Sequence, residues 1–368
     1  MNILLDLYLE KNLGDDLFLQ SILDKYPNDN WYIVTRENYK ELENKNTNLT
    51  MIRLPKIMNY ILHKTQMTHL ATKYITHHYH IDAFATVGGS IFIEYDGWEK
   101  LYKIREDNWH YFKKNNKPVF IIGANFGPYQ TSEFLQKYTN LFNQVTDICF
   151  RDSYSANLFS ESTNVRYETD VVMSFDIAPY NTIPLKKAIG ISIMDLTSRP
   201  KLKHLQEKYI EKMVDLTQLL LNDGYEVYLM SFCKSEGDEK TSEKILQIIG
   251  NNEKLKRLDY DGNIVGFLQV FSSFKAVIGC RFHSVILSYL FSKSVQSIIY
   301  SKKTSDFITE WEIPSDTVDI EDIEKLSYNQ VTYSITNKSE LNNDLILSAH
   351  RQFEAMDLWM NKNNNHKI

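Results

Sequence analysis

Short apolar runs alternate with longer amphipathic stretches along most of the chain, the pattern of βα units on a parallel sheet. In the first half, Ile3–Leu9, Trp31–Val34, Ala83–Val87, Val119–Ile122 and Thr146–Phe150 are expected to be strands, each leading through a turn signal into a helical stretch. Gly88-Gly89, Gly123, Gly127-Pro128 and Arg151-Asp152 fall at or just beyond strand ends, where open α/β sheets bind ligands. The rhythm lapses in FDIAPYNTIPLKK, Phe175–Lys187, where Pro179 and Pro184 interrupt any helix and a linker is expected. It restarts with strands at Ala188–Ile193, Tyr225–Met230, Lys275–Ile278 and Val295–Ile299. Leu202, Leu205, Tyr209, Met213, Leu216 and Leu220 recur at helical spacing and stop at Gly224. Ser339–Met360 reads as a closing helix before a frayed NKNNNHK tail. The pattern predicts two α/β domains with a cleft between them: an N-terminal domain over residues 1–180, a C-terminal domain over 186–333, and a terminal helix and tail over 334–368.

The bulk numbers narrow the classes. With 368 residues, 43% hydrophobic and 13% aromatic, the chain has material for about two cores, and general disorder is excluded. A net charge of −6 supplies no whole-chain field for gripping nucleic acid. Cys149, Cys233 and Cys280 are scattered and odd in number, which points to a reducing interior rather than a disulfide framework. The opening MNILLDLYLEKN has the character of a first strand, not of a signal peptide, and no apolar run is long enough to span a bilayer. A cytoplasmic protein is expected, with at most peripheral contact at the inner face of the membrane. His77, His78 and His80, beside Asp82, form the densest histidine group. No second ligand pair accompanies it, so a solvated helix end is expected and no metal.

The chemistry concentrates in GCRFHSVILSYLF, Gly279–Phe291, where Arg281 and His283 interrupt an otherwise oily segment. If Lys275–Ile278 is a strand and Ser284 opens a helix, both residues lie on a turn at the carboxyl edge of the sheet and at a helix N-terminus. Such a helix start favours anions through its unpaired N–H groups and dipole. Arg281 adds a planar, permanently charged fork, and His283 a proton carrier near neutral pH. The plain alternative is that Arg281 pairs a buried carboxylate while His283 caps the helix. Cys280 lacks an activating partner and is expected to be a buried filler.

Five motifs in order, NLGDD at Asn12–Asp16, VGGSIF at Val87–Phe92, GANFGPY at Gly123–Tyr129, FRDSYS at Phe150–Ser155 and RFHS followed by SVQSIIYSKKTSDF, resemble the polysaccharide pyruvyltransferase family. The resemblance runs from about Asn2 to Phe307. It implies two Rossmann-like domains arranged as in GT-B glycosyltransferases. It further implies transfer of a pyruvyl group from phosphoenolpyruvate (PEP) to two hydroxyls of one sugar, forming a ketal and releasing phosphate, with no cofactor. The implied acceptor is a cell-surface polysaccharide or its lipid-linked precursor. His283 and Arg281 are the expected catalytic pair, with Arg151, Lys303 and Ser284 as further PEP contacts. On the acceptor side the expected contacts are Asn12, Gly14, Asp15, Gly89, Ser90 and Asn125. Four of these have a plainer reading: Arg151, with Asp152, as a helix-opening ion pair, Lys303 as a solvated lysine, Asp15, with Asp16, as a complement to the helix dipole, and Gly89, with Gly88, as a tight turn.

Two rivals remain at this stage. A GT-B glycosyltransferase with a nucleotide-sugar donor usually carries a ribose-binding carboxylate in its second domain, and SVILSYLFSKS after His283 holds none. A non-catalytic binding subunit of a polysaccharide assembly complex leaves Arg281 and His283 without a purpose.

Overall fold

The computed structural model describes residues 1–37, 39–55, 68–336 and 341–364. They form two compact units: Met1–Leu9, Phe18–Ser174 and Asp344–Ile368 in the first, and Glu10–Leu17 with Phe175–Asn343 in the second. The first carries β1 (Asn2–Leu7), β2 (Asn30–Val34), β3 (Leu49–Ile52), β4 (Ala83–Val87), β5 (Val119–Ala124), β6 (Asp147–Phe150) and β7 (Val165–Tyr167). These make one sheet in the order β3-β2-β1-β4-β5-β6-β7, with every described pairing parallel. The second carries β8 (Ala188–Ser192), β9 (Glu226–Ser231), β10 (Leu255–Asp259), β11 (Ala276–Gly279), β12 (Ser294–Ile299) and β13 (Asp316–Asp319), in the order β10-β9-β8-β11-β12-β13. The expected class, two Rossmann-like parallel-sheet units, is what the chain forms.

The central strands explain why the sequence could specify this. VFIIGA in β5, AIGIS in β8 and AVIG in β11 are buried at every position, as strands covered by helices on both faces must be. In each sheet the strand order reverses beside the first strand, at β1/β4 and at β8/β11, and ligands bind at the carboxyl ends of such switch points.

Two segments join units that their sequence position does not suggest. Glu10–Leu17, which contains NLGDD, groups with the second unit. There Asn12 bridges Cys233, and Leu13 N–H donates to the Phe232 carbonyl at 3.0 Å. The C-terminal segment returns to the first unit as two helices, Asn343–Arg351 and Glu354–Asn364, rather than one. The break falls at Gln352, whose fully buried amide donates to the carbonyls of Phe150, Glu168 and Thr169 and accepts from Gly123 N–H. One side chain thereby satisfies backbone groups that would otherwise be buried without partners. The expected closing helix begins at Ser339, which lies outside the described residues, as does the end of the expected tail. The expected linker holds the turn of 3-10 helix Ala178–Tyr180, anchored by Phe175 stacked on Tyr180 at 5.5 Å.

Candidate active site

In the second unit the switch point lies between β8 and β11. Directly after β11 the chain turns through Cys280 and Arg281 into the helix Phe282–Leu290, with Arg281 as its extended N-cap residue. Gly279 packs tightly at the bend, since a Cβ there would sit 3.0 Å from Ser284 Oγ. Ser284, expected to meet the donor anion, is fully buried and its hydroxyl donates to the Arg281 carbonyl. It braces the turn from within.

Arg281 was expected to present its fork to a substrate anion. Its side chain instead lies buried against Asp238 and Glu236. Nε donates to Asp238 Oδ2 at 3.0 Å, Nη2 to Asp238 Oδ1 and Nη1 to Glu236 Oε2, while its backbone N–H donates to Ser192 Oγ at 3.1 Å. This is the carboxylate pairing that the sequence had left as the plain alternative. Asp238 is itself fully buried and also accepts from Phe232 and Cys233 N–H, so the pair is hydrogen-bonded on both sides. A buried guanidinium without such partners would be strongly disfavoured.

His283 has a different neighbour. Gly14 packs so closely on the imidazole that a Cβ at position 14 would lie 1.9 Å from His283 Nδ1. NLGDD and RFHS, at opposite ends of the matching series, therefore meet inside one unit. Asn12 fixes the approach: its side-chain oxygen accepts from Gly14 N–H at 3.0 Å, and its amide reaches Glu236 Oε1 at 3.5 Å. Asp15 is half-buried in the first turn of the helix Leu13–Lys25. The adjacent Asp16, expected with Asp15 to complement the helix dipole, is buried and accepts from the Tyr260 hydroxyl at 2.5 Å. Asn12, Gly14 and Asp15 were expected with the first domain on the acceptor side; the fold groups them with His283 instead.

Two further segments bring cations to residues in contact with this turn. Lys303, in the first turn of the helix Lys302–Glu310, places Nζ 5.5 Å from the Phe282 ring and 5.9 Å from the Tyr300 ring. Its neighbour Lys302 is exposed and pairs with Asp306 at 2.8 Å. Arg199, which sequence reasoning missed, donates Nη2 to Glu236 Oε2 at 2.9 Å and lies 5.0 Å from the Tyr300 ring centre. Its Nε is buried with no hydrogen-bond partner among the described residues, an unmet donor of the kind a bound anion satisfies. Burial opposes the Glu236 charge, but Arg281, Arg199 and Lys303 more than offset it and hold the carboxyl below its usual range. Burial pushes the Cys280 thiol up to about 12, so it is an unreactive filler.

The other motifs meet in the first unit. Arg151, expected at PEP, is buried there and donates to Asp170 at 2.8 Å, Asn125 Oδ1 at 2.7 Å and Ser90 Oγ at 3.3 Å. Gly89 leaves room for this guanidinium: a Cβ there would lie 2.4 Å from Arg151 Nη1 and displace it. Ser90 also donates to Asn125 Oδ1 at 3.0 Å. VGGS, GANFGP and FRDS thus converge on one guanidinium at the carboxyl ends of β4, β5 and β6, and Arg151 groups with the expected acceptor residues Gly89, Ser90 and Asn125. Of the histidine group, His78 stacks on Tyr74 at 5.5 Å at a helix end, and Asp82 accepts from Asn2 N–H.

Two parallel sheets, each with a switch point where such folds bind ligands, place the chain in the class of Rossmann-like α/β proteins. Within it, the family model for polysaccharide pyruvyl transferase matches residues 12–302, and the chain belongs to that family. The match begins at Asn12 of NLGDD and ends beside Lys303. The amylovoran biosynthesis protein AmsJ of Erwinia amylovora is 22% identical over 263 residues, 66% of this chain. The matched stretch covers 62% of that relative's length. Among solved structures, a putative UDP-N-acetylglucosamine 2-epimerase from Listeria monocytogenes aligns with a TM-score of 0.64 at 10% identity, covering 98% of this chain and 96% of its own. The UDP-GlcNAc 2-epimerase of Methanocaldococcus jannaschii gives 0.63 at 9%, covering 97% and 100%. At such identities the likeness establishes the fold alone.

Proposed function

We propose that the protein transfers the pyruvyl group of PEP to two hydroxyls of one sugar, forming a cyclic ketal and releasing phosphate. The acceptor in this reading belongs to a cell-surface polysaccharide or its lipid-linked precursor. The observation that carries it is the meeting of Gly14 with His283, with Lys303 on the adjoining Phe282 ring and Arg199 on Glu236, in a chain of this family. PEP carries a phosphate and a carboxylate, and a site for it needs several cations. Arg199 and Lys303 are the cations in this role, aided by the N-terminus of the helix Phe282–Leu290. Arg281 acts one step back, holding Glu236 and Asp238, and Glu236 in turn orients Arg199.

His283 is the proton donor to the methylene carbon of PEP, making the adjacent carbon electrophilic toward a sugar hydroxyl. A positioned acid contributes on the order of 10²–10⁴ in rate, and cationic stabilisation of charge on the departing phosphate adds to it. In the first unit, Ser90 and Asn125, braced by Arg151, are the sugar-hydroxyl contacts. No described helix is long and apolar enough to cross a membrane. In this reading the protein works in the cytoplasm, touching the membrane only through its lipid-linked substrate.

Purified protein incubated with PEP and a panel of glycan acceptors is expected to release phosphate and to add one pyruvyl ketal to the acceptor by mass. Absence of turnover across the panel, or transfer of a sugar from a nucleotide donor, overturns the reading.

A further inference from the structure

We infer that Tyr300 is the group that takes the proton from the attacking sugar hydroxyl. This rests on the pyruvyl-transfer reading above and assigns the base that the reading leaves unnamed.

Tyr300 directly follows β12, beside β11 in the sheet, so it stands at the same carboxyl edge as the Arg281–His283 turn. Its ring packs partly buried on the core of the second unit. The Arg199 guanidinium lies 5.0 Å from the ring centre and Lys303 Nζ 5.9 Å. Lys303 also touches Phe282, whose ring meets His283 edge-on at 5.2 Å. Tyr300, Lys303, Phe282 and His283 are thus one unbroken series of contacts. Arg199 closes it on the other side through Glu236 to Arg281.

The charges facing the phenol are lopsided. Burial raises its pKa, and Cys280 adds slightly in the same sense. Lys303, Arg199 and Arg281 act oppositely and hold it below the ordinary tyrosine value. Glu236 is the nearby carboxylate shared by Arg199 and Arg281, and Asp238 is engaged by Arg281. A phenol made more acidic by these cations is the more readily ionised base, and it is joined by contacts to an imidazole that can carry a proton.

The protons then balance. Tyr300 phenolate accepts the proton of the first hydroxyl, whose oxygen bonds to C2 of PEP, while the C2–C3 π pair takes a proton from His283 and becomes a methyl group. The C2–O bond to phosphate then breaks, and the phosphate leaves with the proton held by Tyr300. The second hydroxyl bonds to C2 and returns its proton to His283. Two hydroxyl protons are lost in all; the methyl group and the phosphate gain one each, and both side chains are restored.

The test is Tyr300→Phe in the full chain. Turnover is expected to fall about 100-fold or more, while PEP still raises the melting temperature as in wild type. The wild-type-minus-variant spectrum should show one phenol ionising below the pH at which ordinary tyrosines do. Turnover within a few-fold of wild type, or a loss confined to PEP affinity, overturns the assignment. Should Tyr300→Phe misfold, a fluorotyrosine at position 300 is expected to move the pH profile of kcat to lower pH, and an unmoved profile overturns it. Wild-type protein that never consumes PEP defeats the pyruvyl-transfer reading itself, whereas active wild type with an active Tyr300→Phe defeats only this inference.

Discussion

His283→Ala is expected to cost about 10²–10⁴ in turnover while leaving PEP binding within a few-fold of wild type. The imidazole lies against Gly14 and meets the ring of its neighbour Phe282 edge-on, so packing from its own segment and from a distant one fixes its position. The anion is held in this account by Arg199 and Lys303, which the substitution does not touch. Single-turnover rates and PEP titrations separate the two effects. A variant that loses PEP affinity but keeps its rate at saturation would make His283 a binding group. A variant that fails to fold would make it the helix cap that the sequence also allowed.

The second large effect concerns stability. Asp238→Ala is expected to destabilise the second unit by about 3–5 kcal/mol, because it leaves the buried Arg281 guanidinium with Glu236 alone and removes the acceptor of two backbone N–H groups. For a unit of this size the melting temperature should fall on the order of 10 °C. Asp238→Asn, which keeps the shape and one acceptor, should lose less. Were Arg281 instead a solvent-facing clamp for substrate, removing Asp238 would cost about 1 kcal/mol or less, the range of exposed ion pairs.

These two residues also mark where the sequence was legible and where it was not. The turn bearing Arg281 and His283 stands out because a charge and a titratable ring interrupt a buried run. Its location after β11 follows from the apolar strand before it and the apolar helix after it. What Arg281 binds could not be seen, since Glu236 and Asp238 lie more than 40 residues away, at the end of a 3-10 turn and the start of the helix Asp238–Ile249. A signal was present: the acid-rich KSEGDEK directly follows an apolar strand two places from β11 in the sheet. Arg199 and Tyr300 carried no such mark. Arg199 sits in a polar loop, TSRP, and Tyr300 looks like the last residue of a strand.

The strands divide in the same way. Those passed over from sequence are β3, β7, β10 and β13, the edges of the two sheets. An edge strand is paired on one side and half in water, so LTMI, VRY, LKRLD and DTVD need no continuous apolar run. Segments that rejoin a distant unit were equally invisible. Glu10–Leu17 and the C-terminal helices owe their placement to contacts such as Leu13 with Phe232 and Gln352 with Gly123, which leave no periodic trace.

The central claim, that the second unit holds PEP between Arg199 and Lys303 at the His283 turn, meets its most direct test in calorimetric titration of PEP. Wild-type protein is predicted to bind one PEP per chain, and the Arg199→Ala/Lys303→Ala double variant to bind it about 100-fold or more weakly, each lost charge-assisted contact being worth about 1.5–3 kcal/mol. Equal PEP affinity in the two proteins, or binding of UDP with none of PEP, would contradict it.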